Sequence, residues 1–399
     1  MTLEDDNSII YGLDHPSRSL ASLKADRNRV AFLVGTQSLK SDNQVCLLDY
    51  EEESHHVTRQ NWQHRAGEIW HLAPSYADPK LVVTIYNSVQ GAKVRPGCSL
   101  YRMEDECVSQ PTLTPDLKLE ASIVDPESES AFQTITSFQW QPTDECSDRA
   151  QRAFLLGDNR LQILDFDGSG GPKVAMETSL ETKANAKPVT GCWSPHREGR
   201  ELAVTYSGTV EGRDLRSLTE QAWVLEGAHL PIVRSVDFNP NQLYYIATGG
   251  DDCRVKIWDV RSPNEPVLSL KNHSHWVWCV RYNPVHDRFL LSCSSDSRLA
   301  LFCAVSVSSE ANLSDDEADL NEDDLGSSPA DLPVRRPLPA GLDPSKDGLI
   351  RRFEDHEEST YNCEWSLGDP WIFASLSYDG RMIINKVPKP CKDYILDFH

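Results

Sequence analysis

The stretch "HLPIVRSVDFNPNQLYYIATGGDDCRVKIWD", residues 229–259, contains a small structural unit. "QLYYIATGG" is an apolar run of strand length, rich in aromatic and β-branched residues. "DDC" is a tight-turn sequence, and "RVKIWDV" reads as a returning strand. The unit recurs. "HSHWVWCVRYNPVHD", 273–287, begins 44 residues after His229, and "DHEESTYNCEWS" places His356 a further 83 residues on. Aligned on these histidines, a small apolar residue stands seven later (Val236, Val280, Cys363) and an aromatic nine later (Phe238, Tyr282, Trp365). An aspartate stands 23 later (Asp252, Asp296, Asp379), with a hydroxyl four before it (Thr248, Ser292, Ser375). Five positions held in step three times define a repeat.

A period of about 44 residues that supplies several antiparallel strands is the size of one β-propeller blade. Weaker copies precede the three clear ones. They are "RVAFLVGTQS" with "QVCLLDY", "EIWHLAPS" with "LVVTIY" and "CSLYRM", "ITSFQWQP" with "AFLLGDNRLQILDF", and "VTGCWSP" with "LAVTYSGTVEGRDLR". The fold class is therefore all-β, a seven-bladed propeller occupying 1–399 as one domain. Closure requires the first and last strands to pair, so "SIIYGL", 8–13, is expected to complete the last blade.

The dipeptide Trp258–Asp259 at the end of "VKIWD" resembles the WD-repeat β-propeller family. The resemblance implies that His229, Thr248, Asp252 and Trp258 form a hydrogen-bonded chain across their blade. His273, Ser292 and Asp296 would repeat it in the next blade, and His356, Ser375 and Asp379 in the last. Phe302 and Asn385 stand there in place of the tryptophan. More specific phrases, among them "FLVGTQSLKSDNQV", "AGEIWHLAPSYAD" and "DPWIFASLSYDGRMIINKVP", resemble the EARP-interacting WD-repeat proteins. That resemblance implies a non-enzymatic adaptor for subunits of the endosome-associated recycling (EARP) and Golgi-associated retrograde (GARP) tethering complexes. It further implies roles in endosomal recycling, retrograde transport to the trans-Golgi network and dense-core vesicle cargo sorting. A competing reading rests on "WDVR", 258–261, and "RDLR", 213–216, which resemble the W-D-x-R box of cullin-RING ubiquitin ligase receptors. A histone-binding propeller is the third.

Composition narrows the function. The 399 residues carry 61 acids against 39 bases, a formal charge of −22, which argues against nucleic acid and against a polybasic membrane anchor. No apolar run follows the N-terminus, and none reaches the roughly 20 residues that span a bilayer. The expected location is cytoplasmic, peripheral at endosomes and the trans-Golgi network only through partners, and the expected state is a monomer. The 11 cysteines lack a C-x-x-C pair and suit a reducing compartment; Cys253, Cys279 and Cys293 read as buried strand residues. "DGSGGP", 167–172, leads into no helix and reads as a turn, and "HSH" and "HH" (His55, His56) complete no four-ligand metal set. No catalytic, cofactor or metal residue is expected.

Two segments stand outside the repeats. Residues 306–348 hold 11 acids and 3 bases with almost no aromatic or β-branched residue, and are expected to be disordered. Ser314, followed by three acids, suits an acid-directed kinase. Residues 108–130, between the second and third blades, are expected to be mobile. The remaining candidate site is a surface. Strand alternation puts Trp276 and Trp278 on one side near the start of an inner strand. By the family's geometry that place lies on the top face, with Ile232, Arg234 and Asp251 before it, Ser295 beside it, and Ser359, Tyr361 and Tyr378 after it. The competing role for the tryptophans is packing between blades. Limited proteolysis should cut within 306–348 first and leave two fragments associated; fragments that separate without denaturant would rule out a single closed ring.

Overall fold

The computed structural model describes residues 8–39, 43–90, 93–104, 114–128, 132–142, 151–167, 171–180, 186–310 and 344–396. It is a seven-bladed propeller of four-stranded antiparallel sheets. The blades span 17–64, 68–124, 135–179, 188–225, 233–271, 277–353 and 360–386, and the seventh takes its outermost strand from Ile9–Gly12. Ile9 pairs with Ile384 and Gly12 with Arg381, so the two ends of the chain share one sheet.

Burial explains which strands the sequence displays. Blades pack face against face, so second strands have neighbours on both sides: Val30–Thr36, Phe289–Ser294 and Ile372–Ser377 are buried throughout. A strand buried on both faces reads as a continuous apolar run. Fourth strands face solvent, and Lys173–Ser179 and Lys118–Val124 are mostly exposed. Lys118–Val124 corrects the reading of 108–130 as a mobile connection, because it pairs with Lys93–Arg102 as the outer strand of the second blade. Its alternating Leu119, Ala121 and Ile123 sit between flanks rich in proline and acids, which read as a loop.

Tryptophans tie three of the inner strands to the one before. The indole N–H of Trp140 donates to the Ala73 carbonyl at 2.9 Å, that of Trp193 to Gln139 at 3.1 Å, and that of Trp365 to Arg281 at 3.2 Å. Around the closure, Asn362 Nδ2 donates to the Leu20 carbonyl at 3.0 Å. Gly249 permits a close seam between blades five and six, since a Cβ there would lie 2.6 Å from Val280 and 2.7 Å from Val277.

The acidic insertion interrupts the sixth blade between its third strand, Leu299–Cys303, and its fourth, Gly348–Phe353. Its ends are more ordered than composition implied. Ser306 donates from its backbone N–H and its hydroxyl to Asp347, at 2.9 and 2.5 Å. Ser309 does the same to Asp287, both at 2.8 Å, and Glu310 pairs with Arg288. Buried carboxylate and guanidinium anchors fix what the local sequence would leave loose. The central part, 311–343 with Ser314, lies outside the described residues, as do 168–170 of "DGSGGP". Cys253 is a further correction. It sits in the turn between two strands at φ 62°, partly exposed, because a hairpin turn at this place requires a left-handed residue. Cys279 and Cys293 are buried in strands. A short helix, Lys389–Leu396, buries Cys391 and Ile395 against the last two blades.

Replacing Trp365 by Phe keeps the ring but strands the Arg281 carbonyl. A loss of about 1–2 kcal/mol in denaturant unfolding is expected; an unchanged midpoint would mean that this bond does not hold the seam.

Candidate functional site

One local irregularity recurs in every blade. Pairing between the first and second strands skips a residue of the first strand between Ser17 and Ser19, Ile69 and His71, Ile135 and Ser137, Pro188 and Thr190. It does so again between Val233 and Ser235, Val277 and Cys279, and Thr360 and Asn362. A β-bulge frees its extra residue from the ladder and re-aims the side chain. The seven bulge residues are Arg18, Trp70, Thr136, Val189, Arg234, Trp278 and Tyr361. All stand at the same end of their inner strands. Five successive blades, the fifth round to the second, thus place arginine or an aromatic ring at that end.

These side chains touch in series. Asp251 pairs with the Arg234 guanidinium, which lies over Trp276 and Trp278 at 4.7 and 4.1 Å from their ring centroids. Trp276 and Trp278 meet edge to face at 6.1 Å, and Trp278 meets Tyr361 at 4.9 Å. Tyr361 meets Tyr378 at 6.0 Å. Arg18 closes the series over Tyr361, Tyr378 and Trp70, at 4.0, 5.3 and 5.5 Å. Exposure is 40% for Trp276 and 43% for both Trp70 and Tyr378.

The nine residues assigned to this face from the sequence all come together. Trp278 is also part of a blade seam: half-buried, it reaches from Arg234 in blade five to Tyr361 in blade seven and donates to Ser295 Oγ at 2.6 Å. Ser295 N–H donates to the Trp276 carbonyl, Tyr378 N–H to Ser359, and Asp251 N–H to Ile232, fixing the turns that frame the arc. Arg18 and Trp70 were missed. Their strands lack the histidine-to-aspartate frame, so the fifth residue after each blade histidine could not be counted there.

The blade network holds the turns behind this face. In blade five, Trp258 Nε1–H donates to Thr248 Oγ1 at 2.9 Å, and Thr248 Oγ1 lies 2.8 Å from His229 Nε2. His229 Nδ1 lies 2.6 Å from Asp252, whose second oxygen meets Lys256 at 2.9 Å. Burial holds the His229 pKa below its ordinary value, so the imidazole is neutral, with Nδ1–H donating to the carboxylate. Burial alone would raise Asp252; hydrogen bonds from His229 and Lys256 instead hold it at about 2. Blade six repeats the arrangement with His273, Ser292 (2.7 Å) and Asp296 (3.1 Å).

Blade seven departs from the expected pattern. His356 reaches Ser375 at 2.7 Å, but its Nδ1 is shielded with no partner, and burial pushes its pKa to about 4. Asp379 does not bond it: that carboxylate accepts from Ser377 Oγ and lies 3.5 Å from Arg381. A nearer hydroxyl and a cation outcompete the imidazole. Earlier blades brace their turns differently. His64 bridges Gly67 O and Thr84 Oγ1, both at 3.0 Å; Asp158 accepts the Thr134 N–H at 2.8 Å; blade four buries a Glu211–Arg213 pair at 2.7 Å. Of the paired histidine motifs, His275 stacks on Trp276 at 4.9 Å and His55 meets Tyr50 OH at 3.1 Å.

Seven four-stranded blades, one with the full histidine–threonine–aspartate–tryptophan chain, define a WD-repeat propeller. The profile of the EIPR1 beta-propeller family matches residues 5–302. Human EARP and GARP complex-interacting protein 1 is 39% identical over 99% of this chain and 100% of its own length. The Danio rerio EARP-interacting protein homolog is 40% identical over the same shares, and Caenorhabditis elegans EARP-interacting protein 1 is 33% identical over 96% and 97%. The chain belongs to the EIPR1 beta-propeller family.

Asp252→Ala should lower stability by about 1–3 kcal/mol at pH 7, since it leaves His229 and Lys256 unpaired. The folded pKa of about 2 lies below the unfolded value of roughly 3.9, so this contribution is present above pH 4 and lost as pH falls toward 2. Melting of parent and mutant should converge over that window; a constant difference would place the stabilisation elsewhere.

Proposed function

We propose that this chain is a non-enzymatic adaptor that binds the EARP and GARP tethering complexes through the arginine–aromatic arc. In this reading it serves endosomal recycling, retrograde transport to the trans-Golgi network and dense-core vesicle cargo sorting. It works as a cytoplasmic monomer that contacts no nucleic acid and reaches membranes only through its partners. The observation that carries the reading is end-to-end similarity to proteins named for those complexes, together with a contiguous, partly exposed arc of the residue types enriched at binding hot spots. Aromatic rings bring large contact area at low entropy cost, and the arginines add orientation.

Two other uses of the surface are separable by the same experiment. The arginines of the W-D-x-R-like motifs fold back on their own aspartates, Arg261 on Asp259 and Arg216 on Asp214, both at 2.6 Å, and Arg261 also covers Tyr244 at 4.3 Å. Affinity capture from cells with peptide identification should recover tether subunits; a ligase adaptor or histones in their place would overturn the proposal. Because Trp278 is half-buried, Trp276→Ala is the cleaner probe. It should melt with the parent and bind the tether about 2 kcal/mol more weakly, roughly thirtyfold. Full recovery of the complex by a normally folded Trp276→Ala would remove the arc from the interface.

A further inference from the structure

We infer that Arg18 is the seat for a carboxylate presented by an acidic segment of the partner protein, flanked by apolar residues that pack on Trp70 and Tyr378. This rests on the reading of the arc as the partner face, and adds the chemistry of what docks there.

Arg18 differs from the other arginines of the inner strands in its electrostatics. Arg234 is neutralised by Asp251, and Arg281 pairs with Glu364 at 3.1 Å. Among the described residues no carboxylate pairs with Arg18 and no hydrogen bond involves it, and its Nε is shielded from solvent without a partner. The guanidinium is instead surrounded by three rings, Tyr361, Tyr378 and Trp70. The two kinds of contact are orthogonal. Rings pack over the faces of a guanidinium, while its N–H groups lie in its plane and point toward oxygen acceptors at the edge. Stacking therefore orients Arg18 and leaves its donors unspent.

A partly desolvated cation with unspent donors selects an anionic oxygen acceptor. The acid of the arc, Asp251, is already committed to Arg234. The partner must supply the counter-charge. The planar, bidentate match of guanidinium with carboxylate makes an aspartate or glutamate side chain the fitting occupant. The exposed rings beside it, Trp70 and Tyr378, both at 43%, add apolar footing for the residues next to that carboxylate.

The test exploits a lysine. Arg18→Lys keeps the charge and supplies an amine that a carbodiimide joins to a carboxylate in direct contact, with loss of water and formation of an amide. The full-length Arg18→Lys chain is expressed in cells, the lysate is treated with carbodiimide, and peptides linked at position 18 are sequenced. A link to an aspartate or glutamate of a tether subunit supports both the seat and the tethering function. A link to an acidic segment of another protein, without tether subunits, supports the seat and removes the tethering function. Tether subunits recovered with no carboxylate link at position 18, or a link only to this chain's own acids, overturns the seat. Recovery of neither removes both. As a second measurement, Arg18→Gln should weaken capture at least tenfold and flatten its salt dependence, with Arg200→Gln behaving as the parent. Capture by Arg18→Gln equal to the parent at low and high salt would also overturn the seat.

Discussion

The structure depends on one pairing, that of Ile9–Gly12 with Arg381–Ile384. Each of the seven sheets is buried on both faces only because a neighbour stands on each side, so the ring is stable only when its ends meet. An unclosed ring would leave two blades with a bare apolar face and one sheet with a free edge. Building the last sheet from both ends of the chain makes closure a single strand-addition event. It also makes the seventh blade sensitive to both termini. The same closure brings Arg18 against Tyr361 and Tyr378, because Ser17 N–H donates to the Tyr378 carbonyl at 3.2 Å as the chain passes from blade seven to blade one. The arginine–aromatic arc is therefore continuous across the junction that holds the ring together.

The inner-strand bulge gives that architecture a series of side chains in contact from blade to blade. A regular strand would point alternate residues into the seams, where they would pack and be silent. The extra residue in each inner strand escapes this alternation and stands at the mouth of the ring. Its identity is free to vary without disturbing the blade, which is why the seven positions range from valine to tryptophan. Thr136 shows the unused form, its hydroxyl returned to the Leu156 carbonyl at 3.2 Å. Where the bulge residue is arginine or aromatic, neighbouring blades lie close enough for the side chains to meet, and a surface arises that no single blade contains.

The turn behind each bulge needs bracing, and the chain braces it in several ways. Blades five and six use an imidazole between a hydroxyl and a carboxylate. Blade three uses Asp158 alone, and blade four uses the buried pair Glu211–Arg213 with Tyr206 donating to Glu211 at 2.6 Å. In blade seven the aspartate is diverted to Ser377 and Arg381. What the fold requires is satisfied donors and acceptors at a buried turn, and more than one set of side chains meets that requirement.

The repeat, the blade count and the position of the acidic insertion ahead of the last blade were legible in the sequence. Second strands buried on both faces are apolar apart from small hydroxyl residues that find internal partners, and the turns between second and third strands are small and polar. Nine residues of the arc were legible for the same reason, since three histidines supplied a frame from which to count. The outer strand Lys118–Val124 was not legible, because its short alternation is framed by proline and acidic residues that read as a loop. Nor could sequence show that Asp379 abandons His356, a choice between acceptors a few ångströms apart. Arg18 and Trp70 became part of the surface only through tertiary structure: they lie far from Tyr361 along the chain, and it is ring closure that sets Arg18, with Trp70 beside it, against Tyr361 and Tyr378.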